Sequence, residues 1–172
     1  MKFACCNVGA SYPWEYGGYY AWGETAEKDN YDWENYSLCD GSSFSAVYIE
    51  DISGTVYDVA HVKWKGNWCM PSVEQLSLLV NNCTKERTTV KGVNGWLFTG
   101  PNGKFVFFPA AGDNSSYAGE LLRYWSSTIG PSRNYAFIKY YMNAYGLYAN
   151  DDEPHTGYSQ RVDGHSVRPV MK

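Results

Sequence analysis

The residues of this chain that are best suited to chemistry are those of a recognition surface, and they lie in the C-terminal third. Residues 134–165 are rich in Tyr, Asn, Asp, Ser and Gly, and they lie between two strand-like anchors at 124–128 and 166–170. Tyrosine supplies a large, stiff contact area with a polar tip, and the smaller polar residues supply adaptable hydrogen bonds. No comparably dense set of catalytic residues occurs elsewhere in the sequence. The composition therefore predicts a binding protein.

We expect the ligand contacts to come from turn and loop residues of this segment, because strands on either side fix the backbone while loop tips carry the binding side chains. The predicted ligand-binding residues are Arg123, Asn134, Asn143, Tyr145, Tyr148, Asn150, Asp151, Asp152, His155, Tyr158, Arg161, Asp163 and His165. For Tyr145, Tyr148 and Tyr158 a place in the core is the open alternative, since one face of any strand in the segment must be buried.

Catalytic and metal-binding motifs are missing from the sequence. There is no Gly-x-Ser-x-Gly elbow, His-Glu-x-x-His pair or phosphate loop. The five cysteines form no Cys-x-x-Cys pair, and the three histidines are far apart. The acidic run 151–153 before Pro154 could offer oxygen ligands to calcium, but the next residue, His155, is a poor calcium ligand. We therefore expect no enzyme activity, no cofactor and no metal, and a solvated acidic loop at 151–153.

Length and charge restrict the class of protein further. The 172 residues fit one domain, residues 1–172, and the formal charge of −4 comes from 14 basic and 18 acidic residues. The basic residues form no stripe, so a nucleic-acid partner is not expected. No apolar run reaches the roughly 18 residues of a spanning helix, so membrane insertion is not expected either. The first residues do not follow the pattern of a signal peptide.

Two helices are predicted in the first half of the chain. The clearer one follows Pro71, with Ser72 as N-cap, Gln75 completing a capping box, and an end at Asn81-Asn82. Its apolar face repeats at helical spacing through Val73, Leu76, Leu79, Val80 and Cys83. A shorter helix is predicted from a Thr55–Asp58 capping box through Ala60 and Val62 to Gly66, and a helical turn at 11–16.

The second half of the chain has the pattern of antiparallel strands. Asn102-Gly103 between the apolar runs 96–99 and 104–108 predicts a hairpin. Further strands are predicted at 87–91, 122–128, 135–142, 146–149 and 166–170. Helices early and antiparallel strands late predict an α+β fold.

Nine short motifs in a fixed order extend this interpretation. They are Cys6-Asn7-Val8-Gly9-Ala10, Tyr20-Ala21-Trp22-Gly23-Glu24, Trp68-Cys69-Met70-Pro71-Ser72, Asn82-Cys83-Thr84, Val93-Asn94-Gly95, Thr99-Gly100-Pro101-Asn102-Gly103, Phe108-Pro109-Ala110-Ala111-Gly112, Tyr124-Trp125-Ser126-Ser127-Thr128 and Ser166-Val167-Arg168-Pro169-Val170. Together they resemble the Fibrobacter succinogenes major paralogous domain, which is common in Bacteroides-type gut bacteria and their phages. The resemblance covers nearly the whole chain.

The resemblance implies a C-type lectin fold of the branch shared with formylglycine-generating enzymes and with the variable proteins of diversity-generating retroelements. It implies a ligand-display domain, a phage receptor-binding or bacterial adhesin module on the virion or cell surface, whose partner is a protein or glycan receptor on a target cell. The mutable patch would lie between Trp125 and Ser166. The alternatives are a calcium-dependent lectin and a formylglycine-generating-type enzyme domain, although Cys69 and Cys83 flank the predicted helix and not the late strands where such an active site would lie.

Three departures from the family pattern accompany the resemblance. Cys69 stands where the family usually has Arg, and only residues 1–5 precede the first motif, where the family has a longer first strand. The stretch 153–157 is also longer than expected, as if a loop were inserted.

Overall fold

The chain is a mixed α+β fold with two helices followed by mostly antiparallel strands, as the sequence predicts. The computed structural model describes residues 1–114, 116–150 and 152–172. In chain order the elements are β1 (Lys2–Phe3), a 3-10 helix (Ser43–Ser45), α1 (Val59–Trp64), β2 (Trp68–Cys69), α2 (Val73–Asn82), β3 (Thr84–Val90), β4 (Val93–Thr99), β5 (Phe105–Pro109), β6 (Leu122–Ile129), β7 (Arg133–Tyr135), β8 (Ile138–Tyr140), β9 (Asn143–Ala149), β10 (His155–Gln160) and β11 (Val170–Met171).

The strands form three three-stranded sheets and one separate hairpin. The sheet orders are β1-β11-β2, β10-β9-β6 and β3-β4-β5, and β7 pairs only with β8. The first sheet joins the two ends of the chain, with Lys2 opposite Met171. The second sheet carries most of the segment that the sequence singles out for recognition.

The helices confirm the capping argument in one case and correct it in the other. The Ser72 hydroxyl accepts the Gln75 amide and the Gln75 side chain accepts the Ser72 amide, so the predicted capping box of α2 is present. In α1 the N-cap is Asp58, whose carboxylate accepts the amides of Ala60 and His61. The predicted Thr55–Asp58 box is therefore wrong. The predicted helical turn at 11–16 is not a helix either.

Two hairpins with two-residue turns organise the strands, and the sequence predicts neither turn. Val90 pairs with Val93 around Lys91 and Gly92, and both turn residues have positive φ. Tyr135 pairs with Ile138 around Ala136 (φ 48°) and Phe137 (φ 69°). The single strand predicted at 135–142 is therefore wrong, because the chain reverses at residues 136–137, near its start. The hairpin predicted at Asn102-Gly103 is confirmed by the pairing of β4 with β5.

The core consists of large aromatic and aliphatic side chains gathered around the predicted anchors. Trp125, Val167, Phe107 and Leu79 are buried, as predicted. Trp125 donates its indole N–H to the Tyr20 carbonyl at 2.8 Å, so the first part of the chain is bonded to β6. Among the described residues, no helix is long and apolar enough to cross a membrane.

Replacing Leu79 by alanine should lower the free energy of unfolding by about 2–5 kcal/mol, because the side chain is 4% exposed and its loss leaves a cavity. Leu78→Ala is the matched control, since this neighbour on the same helix is 54% exposed and should change stability by no more than about 0.5 kcal/mol. Urea denaturation of both variants measures the difference. Equal losses would contradict the burial of Leu79.

Candidate functional site

A buried guanidinium fixes the framework of the candidate site. Arg161 follows β10 and is 0% exposed. Its Nε donates to the Tyr36 hydroxyl at 2.8 Å, and its Nη1 donates to the carbonyls of Val47 (2.7 Å) and Tyr141 (3.0 Å). The guanidinium also lies 4.6 Å from the centre of the Trp22 ring. Arg161 therefore holds the irregular excursion near residue 47 against the base of the β7–β8 hairpin.

Around this framework lies a group of apolar side chains that we call the aromatic surface. Its members are Phe44, Val47, Tyr48, Tyr135, Phe137, Ile138, Tyr140 and Tyr141. The rings of Phe44 and Tyr140 meet edge to face with centroids 4.9 Å apart, and those of Tyr48 and Tyr141 lie 4.6 Å apart. All members except the last two are exposed. Apolar groups gathered in this way at a protein surface commonly mark an interaction site.

The β7–β8 hairpin adds positive charge to the aromatic surface. Arg133 and Lys139 are both exposed strand residues of the hairpin, and residues 121–150 contain no Asp or Glu. Phe137 stands at the turn with its side chain fully exposed. Arg133 pairs with Tyr140 and shares its face of the hairpin, whereas Lys139 pairs with Asn134 on the opposite face. Arginine and aromatic side chains are both enriched at protein interfaces.

The other end of the β9–β10 pair is polar and bonded within itself. Arg123 donates to the Asn150 side chain at 2.7 Å, and the Asp152 carboxylate accepts the Asn150 amide at 3.0 Å. His155 Nδ1 lies 3.5 Å from Asp152 Oδ2. The seven residues of β9, at about 3.3 Å each, separate this end from the hairpin by roughly 20 Å. The predicted site is therefore not one continuous patch.

Four of the predicted contact residues are buried, which corrects their assignment to the surface. They are Asn143, Tyr148, Arg161 and His165. Tyr148 is 7% exposed because Gly146 and Gly157 leave room for its ring, so that a Cβ on Gly157 would lie 3.0 Å from Tyr148 Cδ2. Asn143 is also buried, and its side-chain amide is satisfied by donating to the Pro131 carbonyl at 3.2 Å. These side chains support the surface from inside.

His165 is buried in a small polar cluster beneath β6 and β9. Its ring stacks on Trp125 with centroids 4.1 Å apart, and its Nε2 lies 2.7 Å from Asp113 Oδ1. Arg123, half-buried, has its guanidinium 5.1 Å from the Tyr148 ring centre and 3.7 Å from Asp113. Asp163 is also half-buried. The cluster fixes side chains that the sequence suggested as ligand contacts.

The remaining predicted residues reach the surface, apart from Asp151, which lies outside the described residues. Asn134 is exposed on β7, opposite Lys139. Tyr145 on β9 is paired with Tyr158 on β10, and their rings meet edge to face at 6.2 Å. Tyr158 is exposed and Tyr145 half-buried, so the core alternative is wrong for Tyr158 and partly right for Tyr145. The segment 155–160 is a strand that the sequence analysis treats as loop.

Two carboxyl groups of the polar cluster have pKa values displaced in opposite directions. Burial raises the pKa of Asp113, but the hydrogen bond and charge of His165, with Arg123, outweigh it, so the net pKa is below the ordinary value. For Asp163 burial prevails over the charge of His165, and the pKa is raised. These groups therefore contribute to stability with opposite dependence on pH.

Burial disfavours the reactive thiolate form of three of the five cysteines. All five are free thiols. Burial, with the neighbouring Cys5, raises the pKa of Cys6 to about 11, and burial also raises the pKa of Cys69 and Cys83. A raised pKa disfavours the thiolate that nucleophilic chemistry requires. Within the described ranges, no three His, Cys, Asp or Glu side chains come together as a metal site would need.

Part of the aromatic surface is not indicated by the sequence. Phe44, Val47 and Tyr48 lie almost 90 residues before the hairpin in an irregular stretch, and no local pattern indicates that they meet it. Their one sequence signal is apolar side chains within an otherwise polar segment. Arg161 holds this stretch near the hairpin through its bond to the Val47 carbonyl, whereas the sequence predicts Arg161 as a ligand contact.

In comparisons with known proteins, no family model, no curated protein and no solved structure matches this chain.

Arg161→Met should lower the free energy of unfolding by about 2–4 kcal/mol, because it removes the donor to three acceptors in the interior. Arg133→Met, an identical change at an exposed position, should stay within about 0.5 kcal/mol of the parent. Urea denaturation measures both changes. The slope of the unfolding free energy against urea concentration should be the same in parent and variants, so that a shifted midpoint reports stability. A parental midpoint for Arg161→Met would show that the clamp contributes nothing.

Asp113→Asn should destabilise the protein at neutral pH, with the loss shrinking as the pH falls below about 4. The folded pKa is lowered, so the carboxylate stabilises the fold above its unfolded pKa, and this is lost as pH falls through the folded pKa. For Asp163 the folded pKa is raised, so Asp163→Asn should be stabilising at neutral pH and without effect in acid. Melting temperatures between pH 3 and pH 7 would show the opposite trends, and parallel curves would contradict them.

Proposed function

We propose that the chain is a ligand-display domain with a C-type lectin fold, acting as a phage receptor-binding or bacterial adhesin module. Its partner is a protein or glycan receptor on a target cell, and its place is the virion or the bacterial cell surface. The observation that carries the proposal is the aromatic surface on a rigid framework. The order of the nine sequence motifs supports the fold, and the α+β arrangement with mostly antiparallel strands is compatible with it.

The composition of the aromatic surface supports binding. Tyr, Phe and Arg are the residue types enriched where binding free energy concentrates, and near-neutral polar neighbours exclude water around them. Tyr48 and Phe137 supply exposed rings, and Arg133 lies on the same face of the hairpin as Tyr140. Removing exposed apolar surface from water on binding is favourable by about 25 cal/mol per Å², before the entropic costs of association are subtracted.

Rigidity beneath the aromatic surface strengthens the proposal. Arg161 bonds to the backbone on both sides of the surface, and Asn143 bonds to the Pro131 carbonyl where the hairpin begins. Side chains at the surface can therefore bind without first ordering the backbone, which lowers the entropic cost of association. Rigid strands that carry variable tips are also what a display domain requires.

The proposed binding face includes only part of the sequence-predicted set. Asn134 is exposed on the hairpin, on the face opposite Tyr140, and Tyr158 is exposed on β10. The polar end with Asn150, Asp152 and His155 has its groups satisfied by one another. We place the binding free energy at the aromatic surface and give the polar end a lesser role.

Combined replacement of Tyr48, Phe137 and Ile138 by alanine should weaken binding to target cells by about 100-fold or more, since central aromatic contacts dominate interfaces. The measurement is flow cytometry of the fluorescently labelled domain on a panel of intact gut bacterial species. The parent should bind one or a few species saturably. A panel with no saturable binding would overturn the display function.

The matched control is the triple variant Asn150→Ala, Asp152→Ala and His155→Ala at the polar end. It should keep binding within a few-fold of the parent and melt cooperatively, because these side chains are exposed. If this variant loses binding while the triple variant of Tyr48, Phe137 and Ile138 keeps it, the binding site lies at the polar end.

Retroelement diversification of the display face makes a separate prediction for the neighbouring DNA. A near-copy of the codons for residues 125–170 should lie beside a reverse transcriptase gene and differ mainly at adenines. Exposed Asn134 should be among the differing codons, whereas Asn143, buried and bonded to the Pro131 carbonyl, should be unchanged. Differences that fall equally on buried and exposed positions would contradict diversification of this face.

A further inference from the structure

Two strands present unpaired edges to each other on a side of the molecule that the display function does not use. β1 is the edge of the sheet β1-β11-β2, and β5 is the edge of the sheet β3-β4-β5. The two strands are neighbours, because the ring of Phe3 meets that of Phe108 edge to face at 5.8 Å. The described residues include no strand between them. A free strand edge is a template for pairing with another chain.

The hydrogen-bond register shows which backbone groups point into this gap. On β5, Ala110 donates to Asn94 at 2.9 Å and Gly100 donates to Lys104 at 2.8 Å. Bonded pairs alternate with non-bonded ones along an antiparallel ladder, so the amides and carbonyls of Phe105 and Phe107 point away from β4. No hydrogen-bond partner for these four groups occurs within the described ranges.

β1 repeats the pattern from the opposite side. Ala4 donates to the Pro169 carbonyl at 2.8 Å, so the Phe3–Val170 pair is the intervening, non-bonded one. The amide and carbonyl of Phe3 therefore point away from β11 and towards the gap. Backbone groups in such positions are normally paired, with protein or with water.

A cavity lies on each side of the gap. One, of about 620 Å³, reaches α2 and is lined by Leu78, Leu79 and Phe98. The other, of about 440 Å³, is lined by Trp64 and Trp68. Both share the same four lining residues from the two edges, Lys2, Phe3, Phe105 and Val106. A strand in the gap would direct successive side chains alternately into the two cavities, because its side chains alternate between faces.

The charge around the two cavities has one sign. Lys2 and Lys104 are their charged lining side chains, and neither lining includes a carboxylate. The protein as a whole carries a charge of −4, so these lysines form a local exception. Electrostatic complementarity favours a partner with acidic residues beside its apolar ones.

We propose that this gap, the strand-acceptor groove, binds an extended peptide strand from a partner protein. The strand pairs with the backbone of Phe105 and Phe107 on β5 and of Phe3 on β1, and so joins two sheets into one. Its side chains on both faces are small and largely apolar, because apolar residues line both cavities, and an acidic residue lies near Lys2 and Lys104. Main-chain bonds supply affinity and the two cavities supply specificity, as in other β-strand additions.

The test uses a synthetic peptide that alternates valine and threonine between terminal glutamates. Titrated into the ¹⁵N-labelled protein, it should shift the amide signals of Phe3, Phe105 and Phe107 and slow their hydrogen exchange, with saturation below about 1 mM. The same peptide methylated on alternate backbone nitrogens should not bind, because it cannot complete the ladder. Binding of the methylated peptide, or no shift from either one, would overturn strand addition.

Two substitutions at one position separate the backbone bond from the side chain. Phe105→Pro removes an amide that points outward and leaves the β4–β5 ladder intact, so the variant should fold. It should bind the peptide at least tenfold more weakly than Phe105→Ala, which removes the same ring, 72% exposed, but keeps the amide. Equal affinities of the two variants would show that the edge does not pair with the peptide.

Charge and the nature of the occupant are tested with the same reagents. Lys104→Gln should weaken binding of the glutamate-ended peptide several-fold and leave a glutamine-ended version unchanged. Concentration-dependent dimerisation of the parent that Phe105→Pro abolishes would overturn the partner-strand proposal, because a second copy would then be the occupant. Phe105→Pro should bind target cells as the parent does. Peptide binding therefore tests strand addition alone, and target-cell binding tests the display function alone.

Discussion

The fold depends on two buried arginines whose guanidinium groups donate hydrogen bonds to uncharged oxygen atoms. Arg168 donates to Asn7 Oδ1 at 2.7 Å and to the Cys5 carbonyl at 3.0 Å, and its guanidinium lies 4.9 Å from the Phe108 ring centre. Arg161 bonds to one hydroxyl and two carbonyls. The described residues place no carboxylate in an ion pair with either. An arginine stays charged when buried, so its desolvation must be offset by many well-placed acceptors, and the segments that supply them are fixed in place.

Each arginine therefore determines a different part of the molecule. Arg168 holds the first residues of the chain beside the last ones, which sets the position of β1 and hence the width of the strand-acceptor groove. Arg161 sets the position of the irregular stretch near Val47 against the hairpin. The two residues are close in sequence, so a single short segment of the C-terminus organises both proposed binding regions. Loss of either guanidinium would leave buried acceptors unpaired and not merely remove a charge.

The sequence predicts those parts of the fold that depend on residues close together in the chain. The capping box at Ser72, the Asn102-Gly103 hairpin and the buried Trp125 anchor each depend on residues close in sequence or on one strongly apolar side chain. The turn at Ala136 and Phe137 is not predicted, because residues with a Cβ rarely adopt positive φ and the hairpin carries no glycine signal. The burial of Tyr148 depends on space above Gly146 and Gly157, and Gly157 lies on a strand that the sequence analysis treats as loop.

Contacts between residues distant in the chain also explain why the sequence predicts only part of the candidate site. A composition rich in Tyr and Asn correctly indicates that the C-terminal third offers exposed aromatic side chains, as Tyr135 and Tyr158 do. It does not distinguish a polar group that awaits a ligand from one that a neighbour already satisfies, as Arg123 satisfies Asn150. That distinction depends on pairing in three dimensions, and it favours the hairpin end, where the rings of Tyr135 and Phe137 are exposed. Binding free energy is gained where the free protein leaves surface uncovered. We therefore propose the exposed rings as the binding site in preference to the polar residues that hydrogen-bond to one another.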